Sequence, residues 1–407
     1  MEQCAPRPAW WQEESVLRRV VVDLVAAELA LAPGRVLPSP PWPAERDLAR
    51  DVGADSLDLM GAATALGDLF GFGRAGMGDA LLGRPVLSDW VDAARASLTR
   101  FDADLVFRTS GSSGMPKRCP HRLVDLWCEV DELARVLPGR RRVLSAVPAH
   151  HIYGFLFTVL LPQASGDPLP VMDVRGSSPA ALSGILQPGD LVVAHPDWWR
   201  QVAALGLAFP DDVVGVTSTA PCPDAVARAL ADGGLRLVQV YGSSETAGVG
   251  WREAAGEAYR LFSYWQVAGE GMLERSVGHG MVECFPLQDR LEWKSDDHFL
   301  PNGRKDHAVQ VGGSNVFPDY IGEVLAMHPA VAKCQVRLMR PDEGTRLKVF
   351  VVPRDKYADA EALRRVLTTW IAGRLTPPER PAVFSFGPQV PRGPNGKLTD
   401  WIIDAWD

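Results

Sequence analysis

Residues 107 to 117 of this 407-residue chain read FRTSGSSGMPK, in which Thr109, Ser110, Ser112 and Ser113 supply hydroxyls, Gly111 and Gly114 bare backbone, and Lys117 a positive charge. Small residues let backbone amides approach a polyphosphate, and hydroxyls and an ammonium add donors and charge. The chemistry open to such a loop is nucleotide phosphate binding. It is not a Walker A loop, because the GxxxxGK[ST] spacing is absent.

The elements that position this loop follow from periodicity. Leu17, Val20, Val21 and Leu24 form one apolar stripe, and Leu59, Ala63, Leu66 and Phe70 another, on either side of the proline-rich loop between Leu29 and Asp47. The first hundred residues therefore read as all-helical. From about Asp102, short β-branched runs (VLSAVP, DLVVAHP, VVGVTSTA, LRLVQVY) alternate with helical windows, which predicts a mainly parallel sheet covered by helices. Ligands of such sheets bind at the carboxyl ends of the strands. After Gly303, the runs AKCQVRLM and RLKVFVVP and a helix bearing Leu363, Val366, Leu367 and Trp370 predict a small α+β domain.

The length favours two or three domains. A net charge of −8 gives no footprint for nucleic acid, and no apolar stretch of membrane-spanning length appears. Six cysteines without a CxxC pair fit reduced thiols, and the N-terminus has no leader pattern, so a cytoplasmic protein is expected.

TSGSSGMPK resembles the phosphate loop of the adenylate-forming superfamily, which includes acyl-CoA synthetases, aryl-CoA ligases and the adenylation domains of peptide synthetases. Further motifs follow in that family's order. VPAHHIYG (147–154) resembles the segment near the acyl pocket, with His151 at its aromatic position and Tyr153 beside it. TSTAP (217–221) resembles the segment lining the adenine, with Thr219, Ala220 and Pro221. YGSSE (241–245) is similar to YGxTE, which implies that Tyr241 stacks on adenine beside Gly242, Ser244 contacts the α-phosphate and Glu245 ligates magnesium. A hard cation on a triphosphate does need an oxygen ligand. WKSDD (293–297) resembles the ribose motif, with Asp297 on the hydroxyls and Asp296 where the family has glycine. GRKDH (303–307) resembles the hinge, with Arg304 near the ribose and Asp306 at the pivot, and PNGKL (394–398) places the catalytic lysine at Lys397.

RDLARDVGADSLDLMGAATALGDLFGF (46–72) resembles the acyl carrier protein signature, with Ser56 as the serine that receives phosphopantetheine from a transferase. Asp-Ser before an apolar helix is also an ordinary N-cap. The expected architecture is a carrier-like all-α bundle over 1–98, an adenylate-forming α/β core trimmed of its N-terminal subdomain over 99–302, and a mobile C-terminal domain over 303–407.

The resemblance implies ATP- and Mg2+-dependent activation of a carboxylic acid, a small aryl acid by the shortness of the core. Transfer to a thiol would follow, on coenzyme A, a separate carrier protein or the arm on Ser56. His151, Tyr153 and Phe155 are compatible with a hydroxybenzoate- or cinnamate-like ring. The competing expectations are a non-enzymatic scaffold that keeps both folds and an enzyme that transfers to an amine or stops at the adenylate.

Overall fold

The computed structural model describes residues 7–32, 35–77, 81, 83–109, 117–164, 167–278, 281–306, 308–312, 314–355, 359–392 and 398–403. Before residue 104 the described elements are helices: α1 Glu14–Leu29, α2 Ser56–Phe70, α3 Phe72–Ala75 and α4 Leu87–Arg100, with one short turn at Trp10–Gln12. The α1 stripe of Leu17, Val20, Val21 and Leu24 is buried as its spacing predicts. Helix α2 opens on a capping box: the Asp55 carboxylate accepts the amides of Leu57 and Asp58, and Asp58 accepts that of Asp55. It closes on Gly71 at φ 70°, a left-handed cap that glycine adopts without strain.

These helices are not a separate bundle. One compact unit joins them to Arg118–Lys305, and one apolar cluster runs from Trp10, Leu17 and Leu66 through Phe107 and Phe155 to Val238. Trp10 meets Phe155 edge-on at 5.0 Å, and Arg108 pairs with Glu28 at 3.4 Å and with Asp68 at 3.8 Å. A division between compact units falls between Lys305 and Asp306, with Lys117 grouped with the second unit. Periodicity locates an apolar face but not the surface that covers it.

The remainder of this unit comprises β1 Asp104–Thr109, β2 Lys117–Arg122, α5 Leu123–Val136, β3 Arg142–Ser145, α6 Ile152–Phe155, β4 Val171–Asp173, α7 Leu182–Ile185, β5 Asp190–Ala194, α8 Pro196–Ala204, β6 Val214–Thr217, α9 Asp224–Asp232, β7 Arg236–Ser243, β8 Ala247–Arg252, β9 Tyr259–Leu261, β10 Gln266–Gly269, β11 Met272–Gly278, β12 Met281–Pro286, β13 Asp289–Trp293 and β14 His298–Arg304. A nine-stranded sheet has the order β13-β14-β9-β8-β7-β6-β5-β3-β4. It is parallel from β4 to β7 and antiparallel beyond. The central strands DLVVA and VGVT are buried throughout, because helices cover both faces. Helix α6 continues through a π-helical turn, Leu156–Leu160, into a 3-10 turn, Leu161–Gln163.

The second unit holds β15 Val309–Val311, β16 Ser314–Val316, α10 Pro318–Ala326, β17 Val331–Leu338, β18 Leu347–Pro353, α11 Ala360–Ala372 and β19 Val383–Phe386. The sheet β17-β18-β19 packs with α10 and α11 around Ile321, Leu325, Val349, Leu367 and Ile371. Val366, read as part of the α11 stripe, faces outward, and Ile371 takes the buried position. Lys348 is buried against Glu343 at 2.6 Å, Asp400 at 3.0 Å and the Trp401 carbonyl at 2.7 Å, which fixes the chain just after 393–397 to β18. No helix among the described residues is long and apolar enough to cross a membrane.

Candidate active site

The site is built at the carboxyl ends of β5, β6 and β7. The Tyr153 hydroxyl bonds the carbonyls of Ala194 and Val216, each at 3.0 Å, and so pins α6 across the ends of β5 and β6. A side chain at Gly154 would stand 1.9 Å from the Pro148 carbonyl oxygen, so only glycine permits this crossing. His151 is the N-cap of α6, and its ring lies 4.1 Å from that of His150. The His151 side chain is exposed, and desolvation by the surrounding chain lowers its pKa. Burial, then the neighbouring His151 and Arg175, push His150 well below the usual histidine range. Both histidines are shifted toward the neutral form.

Tyr153 and Phe155 are placed differently from the expectation that they face a substrate ring. The Tyr153 hydroxyl is used on the strand ends, and Phe155 is buried between Trp10 and Phe107. Of the three, His151 is the exposed side chain.

After β6 the chain turns through Thr219, which holds φ 78°, to Ala220 and Pro221. Positive φ is strained for a β-branched residue. Thr217 Oγ1, Thr219 Oγ1 and His150 Nδ1 are all buried and lack a hydrogen-bond partner among the described residues. Orphaned polar atoms at the carboxyl end of β6, just after it and in the turn before α6 fit a site that a polar ligand completes.

The β7–β8 connection carries Ser244 and Glu245. The Ser243 hydroxyl accepts the amides of Glu245 and Thr246 at 3.2 Å each, and the Ser243 amide donates to Thr246 Oγ1 at 3.2 Å. Gly242 is required, since a Cβ there would lie 2.1 Å from the Ala247 carbonyl oxygen. From β2, buried His121 donates Nε2–H to the Ser244 carbonyl at 2.7 Å. From α5, buried Glu129 receives the Gly248 amide at 3.0 and 2.9 Å on its two oxygens. Desolvation raises the Glu129 pKa to about 7. His121 and Glu129 hold the turn from two sides, and sequence gives no sign of this, because buried and solvated polar residues read alike.

Half-buried Glu245 is a hard oxygen donor on a backbone fixed in this way. Magnesium is commonly bound by one or two carboxylates, waters and substrate phosphates, so a single glutamate fits a metal that arrives with its nucleotide. Among the described residues no group of three or more His, Cys, Asp or Glu could hold a metal by itself.

Tyr241 lies on β7 with its hydroxyl 2.5 Å from Asp289 Oδ2 and its ring near Tyr259 and Phe299. Burial and Asp289 raise its pKa, so it stays a phenol and a donor. Asp289 faces Arg304 across β13 and β14. Asp297, expected on the ribose, sits instead in the tip of this hairpin, bonded to Ser295 and His298. Four residue steps of strand lead from Asp289 to Trp293, about 13 Å at the usual rise, and Asp297 lies beyond that. Asp289, not Asp297, is therefore the carboxylate beside Tyr241 and Arg304. The signal was available: the polar KSDD between LEW and HFL marks a hairpin turn, which sets Asp289 opposite Arg304.

Thr109 ends β1, Lys117 begins β2, and Ser56 is the exposed first residue of α2. Ser110, Gly111, Ser112, Ser113, Gly114 and Lys397 lie outside the described residues.

Residues 77–264 match the family described as AMP-binding enzyme, and residues 320–397 match the AMP-binding enzyme C-terminal domain. The chain is 37% identical over 406 residues to a 4-coumarate–CoA ligase of Rhodobacter capsulatus, covering 95% of this chain and 100% of that one. It is 35% identical to a 4-coumarate–CoA ligase of Halorhodospira halophila, covering 93% and 97%. The amide bond synthetase McbA from Marinactinospora thermotolerans shares the fold at a TM-score of 0.62 and 17% identity, over 94% of this chain and 92% of that one. The chain belongs to the AMP-binding enzyme family and is an AMP-forming ligase that activates a carboxylic acid.

Proposed function

We propose that the protein joins a hydroxycinnamate-type aryl acid to coenzyme A in two steps. The acid carboxylate attacks the α-phosphorus of MgATP and displaces pyrophosphate, forming the acyl-adenylate. The thiol of coenzyme A, giving up its proton, then attacks the acyl carbon and displaces AMP. Positioning and charge neutralisation carry most of such phosphoryl chemistry. The residues assigned to it are the phosphate loop with Lys117, Glu245 on magnesium, Ser244 near the α-phosphate, Asp289 and Arg304 on the ribose, and Lys397 on the charge that develops during adenylation.

The observation that carries this reading is similarity along the whole chain to relatives named 4-coumarate–CoA ligase, the first of which is covered completely. That coverage extends to the N-terminal helices, which favours reading them as part of the ligase. The same similarity weighs against a scaffold without activity.

Ser56 as a carrier serine is the second acceptor reading. Its exposure at the start of α2 favours it, and the burial of α2 in the shared core opposes the excursions a loaded arm would need. Incubation with MgATP, 4-coumarate and coenzyme A, followed by chromatography, tests the main reading. AMP and the coumaroyl thioester are expected in equal amounts; AMP without thioester would overturn the assignment of the acceptor.

A further inference from the structure

We infer that Asp23 on α1 is a positioning residue for the acid site, holding in place the backbone that presents His150 and His151; this rests on the reading of the VPAHHIYG segment (147–154) as the one that borders the acyl group. The Ala149 amide, one residue before His150, donates to Asp23 Oδ2 at 2.6 Å. The other oxygen, Oδ1, receives Arg175 Nη2 at 2.6 Å, and Arg175 also pairs with Asp173 at the end of β4. The Asp23 side chain is 1% exposed. It thus joins α1, the β4 end and the turn before α6 at one carboxylate.

One helical turn earlier on the same face of α1, Arg19 donates to the Thr158 carbonyl in the π-helical turn that continues α6. Thr158 Oγ1 in turn donates to the Gly154 carbonyl at 2.7 Å. The histidine pair is therefore braced on both sides from α1, through Ala149 before it and through Thr158 after it. Before the pair, the Ser145 hydroxyl also donates to the Val147 carbonyl at 2.8 Å, and the Ala146 amide donates to the Val193 carbonyl at 2.8 Å.

A purely stabilising role would not need this chemistry. Well-packed apolar residues commonly do as well as a buried ion pair, because desolvation offsets most of the Coulombic gain. A carboxylate is required where one group must accept a backbone amide and a guanidinium together. The consequence belongs to the acid and not to the nucleotide, because Tyr241, Ser244 and Glu245 are held by β7, His121 and Glu129, none of which Asp23 touches.

The test is steady-state pyrophosphate release by wild type, Asp23→Ala and Asp23→Asn, with the acid and MgATP varied separately and Tm recorded. Asp23→Ala is expected to raise the acid KM at least tenfold and leave the MgATP KM within twofold. Asp23→Asn keeps an acceptor for the Ala149 amide and is expected to recover part of this, with an acid KM still at least threefold above wild type. Should Asp23→Ala fail to fold, Asp23→Asn decides. Unchanged acid KM in the folded variants, or both KM values rising together as Tm falls, would overturn the inference. Wild-type protein inactive with every acid would overturn the functional reading together with it, whereas an active wild type with unshifted variants sinks this inference alone.

Discussion

The Tyr241 hydroxyl donates to Asp289 Oδ2 at 2.5 Å, and Asp289 stands opposite Arg304 in the β13–β14 pair. This places a carboxylate, a phenol and a guanidinium together on the unit that carries Ser244 and Glu245. Loss of a hydrogen-bonding carboxylate costs about 1.5–3 kcal/mol, or roughly 10- to 100-fold in affinity. Asp289→Ala is therefore expected to raise the MgATP KM by about that factor. Asp297→Ala, at the hairpin tip, should leave it within twofold. Kinetics with MgATP varied at saturating acid check both, and the reverse order would restore Asp297 to the ribose.

Glu129 gives a pH signature. Its carboxyl ionises near 4.5 in the unfolded chain and at about 7 when buried under Gly248. Between these values the folded state binds more protons than the unfolded one, so stability falls as pH rises. The contribution is complete below about 4.5 and lost through about 7. Thermal unfolding of wild type and Glu129→Gln across this window should show the wild-type Tm declining relative to the variant and then levelling. A constant difference would contradict a proton on Glu129.

Gly154 tests the crossing of α6 over the strand ends. A methyl group there meets the Pro148 carbonyl at 1.9 Å. Forced overpacking costs about 1–3 kcal/mol or more, which for a unit of this size lowers Tm by several degrees. Gly154→Ala should show that loss in calorimetry and a reduced acid affinity. A variant with wild-type Tm would mean that the turn at Pro148 yields freely.

Ser56 separates the two acceptors. Its neighbour Asp55 already supplies the helix cap, so the Ser56 hydroxyl is not needed for α2. Ser56→Ala should leave coenzyme A thioester formation within twofold of wild type and Tm unchanged. Mass spectrometry after treatment with a phosphopantetheinyl transferase should find no added arm; an arm on Ser56 that accepts acyl groups would establish the carrier reading.

The parallel strands were legible because buried strands are written as unbroken apolar runs, as in DLVVA and VGVT. The β7–β8 motif was legible because its glycine and hydroxyls meet local backbone demands. What sequence did not reveal was tertiary. The α2 periodicity that suggests a carrier bundle equally suits a helix packed on a larger core, and contacts such as Arg108 with Asp68 are not written in periodicity. Asp297 and Asp289 are both acids near Arg304 in sequence, and hairpin register separates them. Asp23, His121 and Glu129 give no signal at all, because burial is what makes them matter.

The most direct measurement is acid-dependent pyrophosphate release from MgATP without any thiol, with hydroxylamine present to trap the acyl-adenylate. Release and hydroxamate formation with hydroxycinnamates, much weaker with long fatty acids and abolished in Glu245→Ala and Lys397→Ala, is the predicted result. Equal release with and without acid, or full activity in both variants, would contradict the account.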